Sequence, residues 1–417
     1  MNIAFIGCGK LGMPCAIEIA KAGHIVTGYD PALINKDGTF FNPYEIVDLK
    51  HTLAEAVKFA KIVFVAVPTP HDSSYDGRAP TAHLEPKDFS YDIVKSVLRE
   101  CDAVMNPAQM IVLISTVLPG TVRRELAPLV THTRFVYNPY LIAMGSVAWD
   151  FRNPEMVMIG TEDGDETGDA RELVDFYKTV IENDPRYEVG TWDECECIKV
   201  FYNTFISTKI GLANMIQDVA MKQGNINVDV VTNALAKSTK RIMGPQYMTA
   251  GMGDGGACHP RDNIALRYMA QELGLGYDIF DAIMNAREIQ AKNLAEFLVE
   301  QAKLHDLPVL IHGVAYKPDV PYKDGSYSLL VAHYCELLGY HPILIDPYTH
   351  PLRGPFKAVV LLAHSNQVTY KYTEKETTQT FYCLFEEGSV IVDPWRMYRN
   401  EENKYKVIHY GNTRKVA

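Results

Sequence analysis

The sequence contains no apolar run approaching the ~20 residues of a bilayer-spanning helix, so no membrane segment is expected. A signal peptide is not expected either, because a strand-like run, NIAFIG, already begins at residue 2. Basic residues are in the minority. The 40 Lys and Arg stand against 51 Asp and Glu, a formal net charge of -11, and a phosphate backbone selects the opposite balance. Nucleic acid is therefore not an expected partner, although a local basic cluster can still hold a small anion. The eight cysteines show no repeated spacing, which fits reduced thiols in a cytoplasmic chain rather than a disulfide framework. No fixed-period repeat and no low-complexity tract occurs. What remains is an ordinary globular composition, 47% hydrophobic and 22% charged over 417 residues, enough for two or three domains.

The N-terminal third alternates strand-like and helix-like stretches. NIAFIG is followed by KLGMPCAIEIAKAG with helical spacing and then by HIVTGYD. IVFVAV (62–67), MIVLIST (110–116) and RFVYNP (134–139) read as further buried strands. Strands separated by helices predict a parallel, doubly wound sheet. From about residue 191 the pattern turns helical. DECECIKVFYNTFISTKIGLANMIQDVAMKQG predicts one long helix, with Asp193 and Glu196 at capping-box spacing and Gly224 just past its end. A glycine-rich stretch, 251–256, precedes another long helix over about 277–304. After residue 307, PVLIHGVAY, SLLVAHYCELLG and HPILIDPY repeat the strand–helix–strand pattern. VVLLAH and SVIVDPW read as later strands, and the polar TYKYTEKETTQTFY (369–382) as a surface connection. The expected fold class is α/β, ordered as α/β over 1–190, helical over 191–304 and α/β over 305–417.

Residues 7–12, GCGKLG, form a G-x-G-x-x-G directly after a strand and at the opening of a helix. Gly7 permits the tight turn, Gly9 lets a pyrophosphate approach the backbone, and Gly12 lets helix and strand pack closely. Lys10 and Leu11 complete the loop, and the phosphates would rest on the helix N-terminus. Asp30 ends the second strand, 18 residues after Gly12. Its carboxylate suits a ribose 2′-OH and repels a 2′-phosphate, so the expected cofactor is NAD rather than NADP.

Further short motifs follow in order: VAVPTP (65–70), STVLPGT (115–121), KVFYN (199–203), GGACHPRD (255–262), GVAYKP (313–318) with Ser326, and IDP (345–347). Together they resemble the motifs of the UDP-glucose/GDP-mannose dehydrogenase family, among them its S-T-V-x-P-G-T, K-x-x-x-N and G-G-x-C-x-x-K/R-D. The resemblance covers nearly the whole chain. It implies two Rossmann-like doubly wound domains joined by a helical region whose long central helix helps form a homodimer. The domains would be an NAD-binding domain over 1–190, a central helical domain with the cysteine loop over 191–304, and a nucleotide-sugar-binding domain over 305–417. It further implies oxidation of C6 of a nucleotide-linked hexose from alcohol to carboxylate, with two NAD⁺ and no metal. UDP-glucose is the first expectation, with UDP-N-acetylhexosamine or GDP-mannose as alternatives. On the cofactor side the resemblance adds Val67, Pro68, Thr69 and Thr116. On the substrate side it points to Tyr140, Lys199, Asn203, Tyr247, Gly255 and Lys317.

A four-electron oxidation must hold the aldehyde formed by the first hydride loss. A thiolate can do so as a thiohemiacetal, then as a thioester that water cleaves. By the resemblance that thiol is Cys258, which follows two glycines and stands near the cation Arg261, and positive charge favours a thiolate. A metal reading of Cys258 and His259 is poor, since adjacent residues chelate badly, and Cys195 and Cys197 lack a second ligand pair. Lys199 and Asn203 are one helical turn apart and share a face, where an ammonium and an amide can stabilise an oxyanion; alone they would read as a solvated pair. Asp262 would orient or deprotonate a water or the substrate alcohol, or merely pair with Arg261. Thr116 would hold a catalytic water or cap the next helix.

Two positions depart from the family pattern. Tyr140 stands where the family's N-P-E has its acid, with Met144 four residues on. Asp324 stands where an arginine usually precedes the serine, here Ser326. These departures keep a second reading open, a catalytically weakened protein that binds NAD and nucleotide sugar in a regulatory role.

Overall fold

The computed structural model describes the chain apart from residues 36, 38, 41–44, 71–83, 86–87, 144, 245–248, 257, 319, 347–349, 351–353, 366–370, 375–376, 381–384, 399–403 and 413–417. The side chains of Ile210, Gly211, Cys258, His259, Arg261, Asp262, Ala265 and the 371–380 segment are likewise outside the description. The chain divides into two compact units, Met1–Ile210 and Gly211–Ala417.

The first unit runs β1 (Asn2–Ile6), α1 (Gly12–Lys21), β2 (Ile25–Tyr29), β3 (Asp48–Leu49), α2 (Leu53–Val57), β4 (Ile62–Val65), α3 (Asp92–Val104), β5 (Met110–Leu113), a π-helical turn (Val122–Leu126), β6 (Arg134–Tyr137), α4 (Val147–Arg152), β7 (Met156–Thr161), α5 (Gly168–Tyr177) and β8 (Arg186–Thr191). The sheet order is β3-β2-β1-β4-β5-β6-β7-β8. The strands from β3 to β6 are parallel to their neighbours, and β7 turns antiparallel to β6. The two sheet faces carry separate cores, because alternate residues of a strand point to opposite sides. Ile3 and Phe5 join one cluster with Phe64 and Phe176, while Ala4 and Ile6 join the other with Leu98 and Leu113. β4 and β5 are buried at every position, which is why they read as unbroken apolar runs.

One buried carboxylate ties α3 to the loop before β6. Asp102 accepts the N–H groups of Thr131, His132 and Thr133 at 2.8–3.0 Å and the hydroxyls of Thr131 and Thr133. Burial works against its charge, but the Thr131 amide, the His132 ring and amide and the Thr133 hydroxyl outweigh that and hold the carboxyl well below the usual carboxylate range. A depressed carboxyl contributes stability above the unfolded pKa and loses it as pH falls toward the folded value. Asp102→Asn is therefore expected to lower stability by about 2–4 kcal/mol at pH 7. The gap to wild type should shrink in acid below about pH 4. Thermal melts of both proteins across pH check this, and a gap that grows in acid would contradict it.

α6 (Trp192–Gln223) carries the chain from the first unit into the second, where α7 (Val228–Ala236), α8 (Cys258–Glu272) and α9 (Ile279–His305) precede a second sheet. Its elements are β9 (Val309–His312), α10 (Tyr327–Leu337), β10 (Ile343–Ile345), β11 (Val359–Leu362), β12 (Lys371–Glu374), β13 (Thr377–Thr380), β14 (Val390–Asp393) and β15 (Lys406–His409). The sheet order is β10-β9-β11-β14-β15, all parallel. Leu294 and Leu298 of α9 and Val331 and Cys335 of α10 pack on one of its faces.

Two sequence expectations change here. Residues 369–382 were expected as a plain connection, yet β12 and β13 pair within them as an antiparallel ribbon, consistent with the strand preference of threonine. The α6 capping box lies two residues earlier than expected. Thr191 Oγ1 accepts from Glu194 N–H and Glu194 Oε2 from Thr191 N–H, whereas Glu196 turns inward. Gly224 does end α6, at φ +74°.

Candidate active site

The residues read as cofactor-binding gather at the C-terminal ends of β1, β2, β4 and β5, where parallel α/β sheets bind ligands. Gly7 has φ +92°, and a Cβ there would lie 2.6 Å from the Ala66 carbonyl oxygen. A Cβ on Gly12 would overlap the carbonyl oxygen of Gly7, whereas one on Gly9 would meet nothing within 4 Å. The loop is thus packed tight beneath and open above, the shape a pyrophosphate needs. Leu11 at the N-cap of α1 has no side-chain acceptor, and no acid lies in the first turn. The anion favoured by the amides and the helix dipole must then come from a ligand. Lys10 is exposed beside it.

Asp30 follows β2 and accepts one bond at one oxygen, Oδ1, from Ala32 N–H at 2.9 Å. The second unit offers a comparison. Gly313 repeats Gly7, with φ +104° and its N–H on the Ile345 carbonyl at 2.8 Å, matching the Gly7–Tyr29 bond of 2.9 Å. Asp346 stands where Asp30 stands, but it is buried and accepts the Val314 and Ala315 N–H groups. The same βαβ device spends its acid on its own backbone in one unit and leaves it at the rim in the other. The fingerprint of the first unit therefore fits a dinucleotide.

The loops after β4 and β5 are joined by hydroxyls. Ser115 Oγ donates to the Val67 carbonyl at 2.6 Å and Thr69 Oγ1 to the Thr116 carbonyl at 2.9 Å. Val67, Pro68, Thr69 and Thr116 consequently form one cross-linked rim.

Lys199 and Asn203 on α6 line a cleft of about 520 Å³ with Leu141, Asp150, Glu155 and Tyr202. Lys199 Nζ donates to the Tyr140 carbonyl at 2.7 Å, and burial lowers its ammonium below the ordinary lysine value. The tyrosine side chain goes the other way. Its hydroxyl meets that of Tyr177 at 2.9 Å, and Tyr177 in turn donates to Asn138. Burial, then Tyr177, push the Tyr140 phenol well above its usual range. The half-buried Tyr140 ring thus packs against the core of the first unit while its carbonyl holds Lys199. Glu155 and Tyr202, whose hydroxyl lies 3.3 Å from Glu155 Oε2, belong to this cleft and were missed in the sequence. Tyr202 lies three residues after Lys199 on α6 and Glu155 just before β7, which gave only a weak signal.

In the second unit, Cys258 opens α8, a backbone position that favours a thiolate. The side chains of Cys258 and Asp262 lie outside the described residues, as does Tyr247. The glycines before Cys258 have a packing reason. A Cβ on Gly251 would overlap the Trp395 ring, one on Gly253 the Tyr327 ring, and one on Gly255 would lie 2.5 Å from the Tyr316 carbonyl oxygen. Gly255 and Lys317 are brought to one place through Tyr316, whose ring Lys317 Nζ overlies at 5.4 Å. Arg287, nearly buried, fixes the loop by pairing with Asp254 at 2.5 Å and donating to the Gly325 carbonyl. Asp324 is exposed, and Ser326 caps α10 while donating to the Val314 carbonyl at 2.7 Å. Among the described residues, no helix is long and apolar enough to cross a membrane.

Comparison with known proteins gives a consistent result. Residues 193–288 match the central domain of the UDP-glucose/GDP-mannose dehydrogenase family, and residues 45–181 match its NAD-binding domain. Residues 2–83 also match the NADP oxidoreductase coenzyme F420-dependent family. A UDP-glucose 6-dehydrogenase of Pseudomonas aeruginosa is 31% identical over 349 residues, covering 76% of this chain and 72% of that protein. One of Bacillus subtilis is 25% identical over 376 residues, covering 84% and 82%. The solved GDP-mannose dehydrogenase of Pseudomonas aeruginosa superposes with a TM-score of 0.76 at 20% identity, covering 98% of this chain and 99% of that one; it shares the fold.

Proposed function

Because the chain belongs to the UDP-glucose/GDP-mannose dehydrogenase family and carries its NAD-binding domain, we propose that it oxidises C6 of a nucleotide-linked hexose to the carboxylate, with UDP-glucose as substrate. The observation that carries this reading is the pairing of a glycine loop open only above Gly9 with a half-buried Lys199 facing a cleft one turn from Asn203. Gly7, Gly9, Gly12 and Asp30 would hold the dinucleotide, with Lys10, Leu11 and the Val67–Thr69 and Thr116 rim around it. When bound, NAD⁺ supplies the hydride acceptor, two molecules per turnover.

The chain's own residues do the rest. Cys258 adds as thiolate to the C6 aldehyde, forming a C–S bond. Lys199 and Asn203 stabilise the oxygen that becomes negative. Asp262 takes the proton of the water that cleaves the thioester, releasing the acid and restoring the thiol. The domains are assigned as 1–190, 191–304 and 305–417, the last taking the nucleotide sugar with Lys317. Phe201, Phe205 and Ile206 are exposed together on α6 and support a homodimer through that helix.

A second reading, slow turnover, has its own observation. Position 140 supplies no carboxylate, and its phenol is locked in the core. Thioester cleavage then rests on Asp262 alone, which favours a burst of NADH followed by a slower phase.

The cofactor assignment predicts that Asp30→Ala weakens NAD⁺ binding by about tenfold or more, the loss of a bond to a charged acceptor, while NADP⁺ binding changes little. Titration of both cofactors against both proteins tests it. Equal affinity of the wild-type protein for NAD⁺ and NADP⁺ would remove the role given to Asp30.

A further inference from the structure

We infer that Glu196 is a positioning residue, holding the loop that carries Thr116 in register with the helical turn that carries Lys199. Glu196 lies on α6 one turn before Lys199 and is fully buried. Its two oxygens accept separate backbone bonds, from Gly120 N–H at 2.5 Å and from Val122 N–H at 2.7 Å. Those amides close the loop that begins at Ser115, and the start of that loop is tied to Val67 and Thr69 by the two hydroxyl bonds already described. The next turn of α6 is anchored by Lys199 on the Tyr140 carbonyl. A single carboxylate thus joins the rim after β4 and β5 to the helix that presents Lys199 and Asn203. The other link between these segments, Arg123 to Asp193 at 2.7 Å, is exposed, and such pairs contribute little. A carboxylate buried without a cation is costly, and an apolar residue of similar size would leave two amides without acceptors. Geometry at the rim is what this arrangement maintains. The inference rests on the assignment of Val67–Thr69 and Thr116 to the cofactor.

The join is also proton-sensitive. Burial pushes the Glu196 carboxyl up to about 7, against the lowering by the Val122 and Gly120 amides. Around it stand Asp193, Cys195 and Cys197 on its own helix, Tyr137 on β6, and Arg123 and Arg124 on the π-helical turn. The folded state binds this proton more tightly than the unfolded chain, so the charged form costs stability above the ordinary carboxylate range. What the charged form supplies is two acceptors; protonation turns one of them into a donor facing an amide.

The experiment is NAD⁺ binding by calorimetry on the full-length protein from pH 6 to 8, with wild type, Glu196→Gln and, as a destabilised control elsewhere in the same unit, Asp102→Asn. Glu196→Gln should raise Kd about tenfold or more at pH 8. The wild-type Kd should rise as pH falls through about 7, the Glu196→Gln profile should be flat, and Asp102→Asn should bind as wild type. A Glu196→Gln protein with wild-type Kd overturns the inference. So does an equal loss in Asp102→Asn, which would make the effect one of general stability. If Glu196→Gln does not fold, the wild-type pH series decides, and a flat profile overturns the inference. Failure of the wild-type protein to bind NAD⁺ at any pH overturns the cofactor reading together with it.

Discussion

Replacing Cys258 with alanine is expected to abolish uronic acid formation, lowering kcat at least about 10⁴-fold, while NAD⁺ binds as tightly as in the native protein. The separation follows from where the groups lie. The glycine loop and Asp30 belong to the first unit, whereas Cys258 opens α8 in the second, so removing the thiol leaves the dinucleotide contacts intact. Without it the aldehyde has no covalent tether, and oxidation to the acid loses its thioester step. Intact mass under turnover should show an acyl adduct on the native chain and none on Cys258→Ala. An alanine variant that makes the acid at the native rate would contradict the covalent route. The other described cysteines make the adduct easy to assign. Cys8, Cys15, Cys101, Cys195 and Cys335 are buried and Cys197 is half-buried, and burial drives each of their thiols up, Cys8 and Cys101 to about 12.

Lys199→Met should lower kcat by about 10²–10³-fold, the usual loss when a fixed donor to a developing oxyanion is removed. Methionine keeps much of the stem and its packing, so the melting temperature should fall little. NAD⁺ affinity should stay near native. The reason to expect an electrostatic rather than a structural effect is the setting of the ammonium. It is half-buried, it donates to one carbonyl at 2.7 Å, and it lines the cleft that Asn203 also lines. Steady-state kinetics with nucleotide sugar varied at saturating NAD⁺ measures the effect. A kcat within fivefold of native would show that Lys199 only braces the Tyr140 carbonyl.

The parts of the fold that the sequence made plain are those whose burial is complete. β4 and β5 are covered on both faces, and their runs of Ile, Val, Phe and Leu admit few other readings. β8 was not anticipated because it is the edge of the sheet: Arg186 is exposed and Tyr187 to Val189 are only partly covered, so its residues carry no clean alternation. The capping box was misplaced because Thr191–Glu194 and Asp193–Glu196 have the same spacing, and spacing alone cannot tell which acid faces the backbone amide and which faces inward.

The candidate site divides along the same line. Gly7 and Gly12 are positions where backbone geometry dictates the residue type, through a positive φ at Gly7 and close backbone approach at both, whereas the reason for Gly9 and Asp30 is the expected ligand and not the fold. The direction of the Tyr140 ring was not legible, since the residue's identity says nothing of it and its hydroxyl is set by Tyr177, which in turn donates to Asn138. Glu196 had one available signal. It lies three residues before Lys199 and seven before Asn203, on the face of α6 that those two share, a row that runs from a buried carboxylate through a half-buried ammonium to an exposed amide.

The central claim is tested most directly by the stoichiometry of NADH formed when the protein is mixed with NAD⁺ and a limiting amount of each nucleotide sugar in turn, UDP-glucose, a UDP-N-acetylhexosamine and GDP-mannose. A nucleotide-sugar 6-dehydrogenase should give two NADH per sugar consumed with one of them, UDP-glucose by this account, and a carboxylate product. No NADH with any of the three, or one NADH per sugar with the aldehyde as end product, would contradict it.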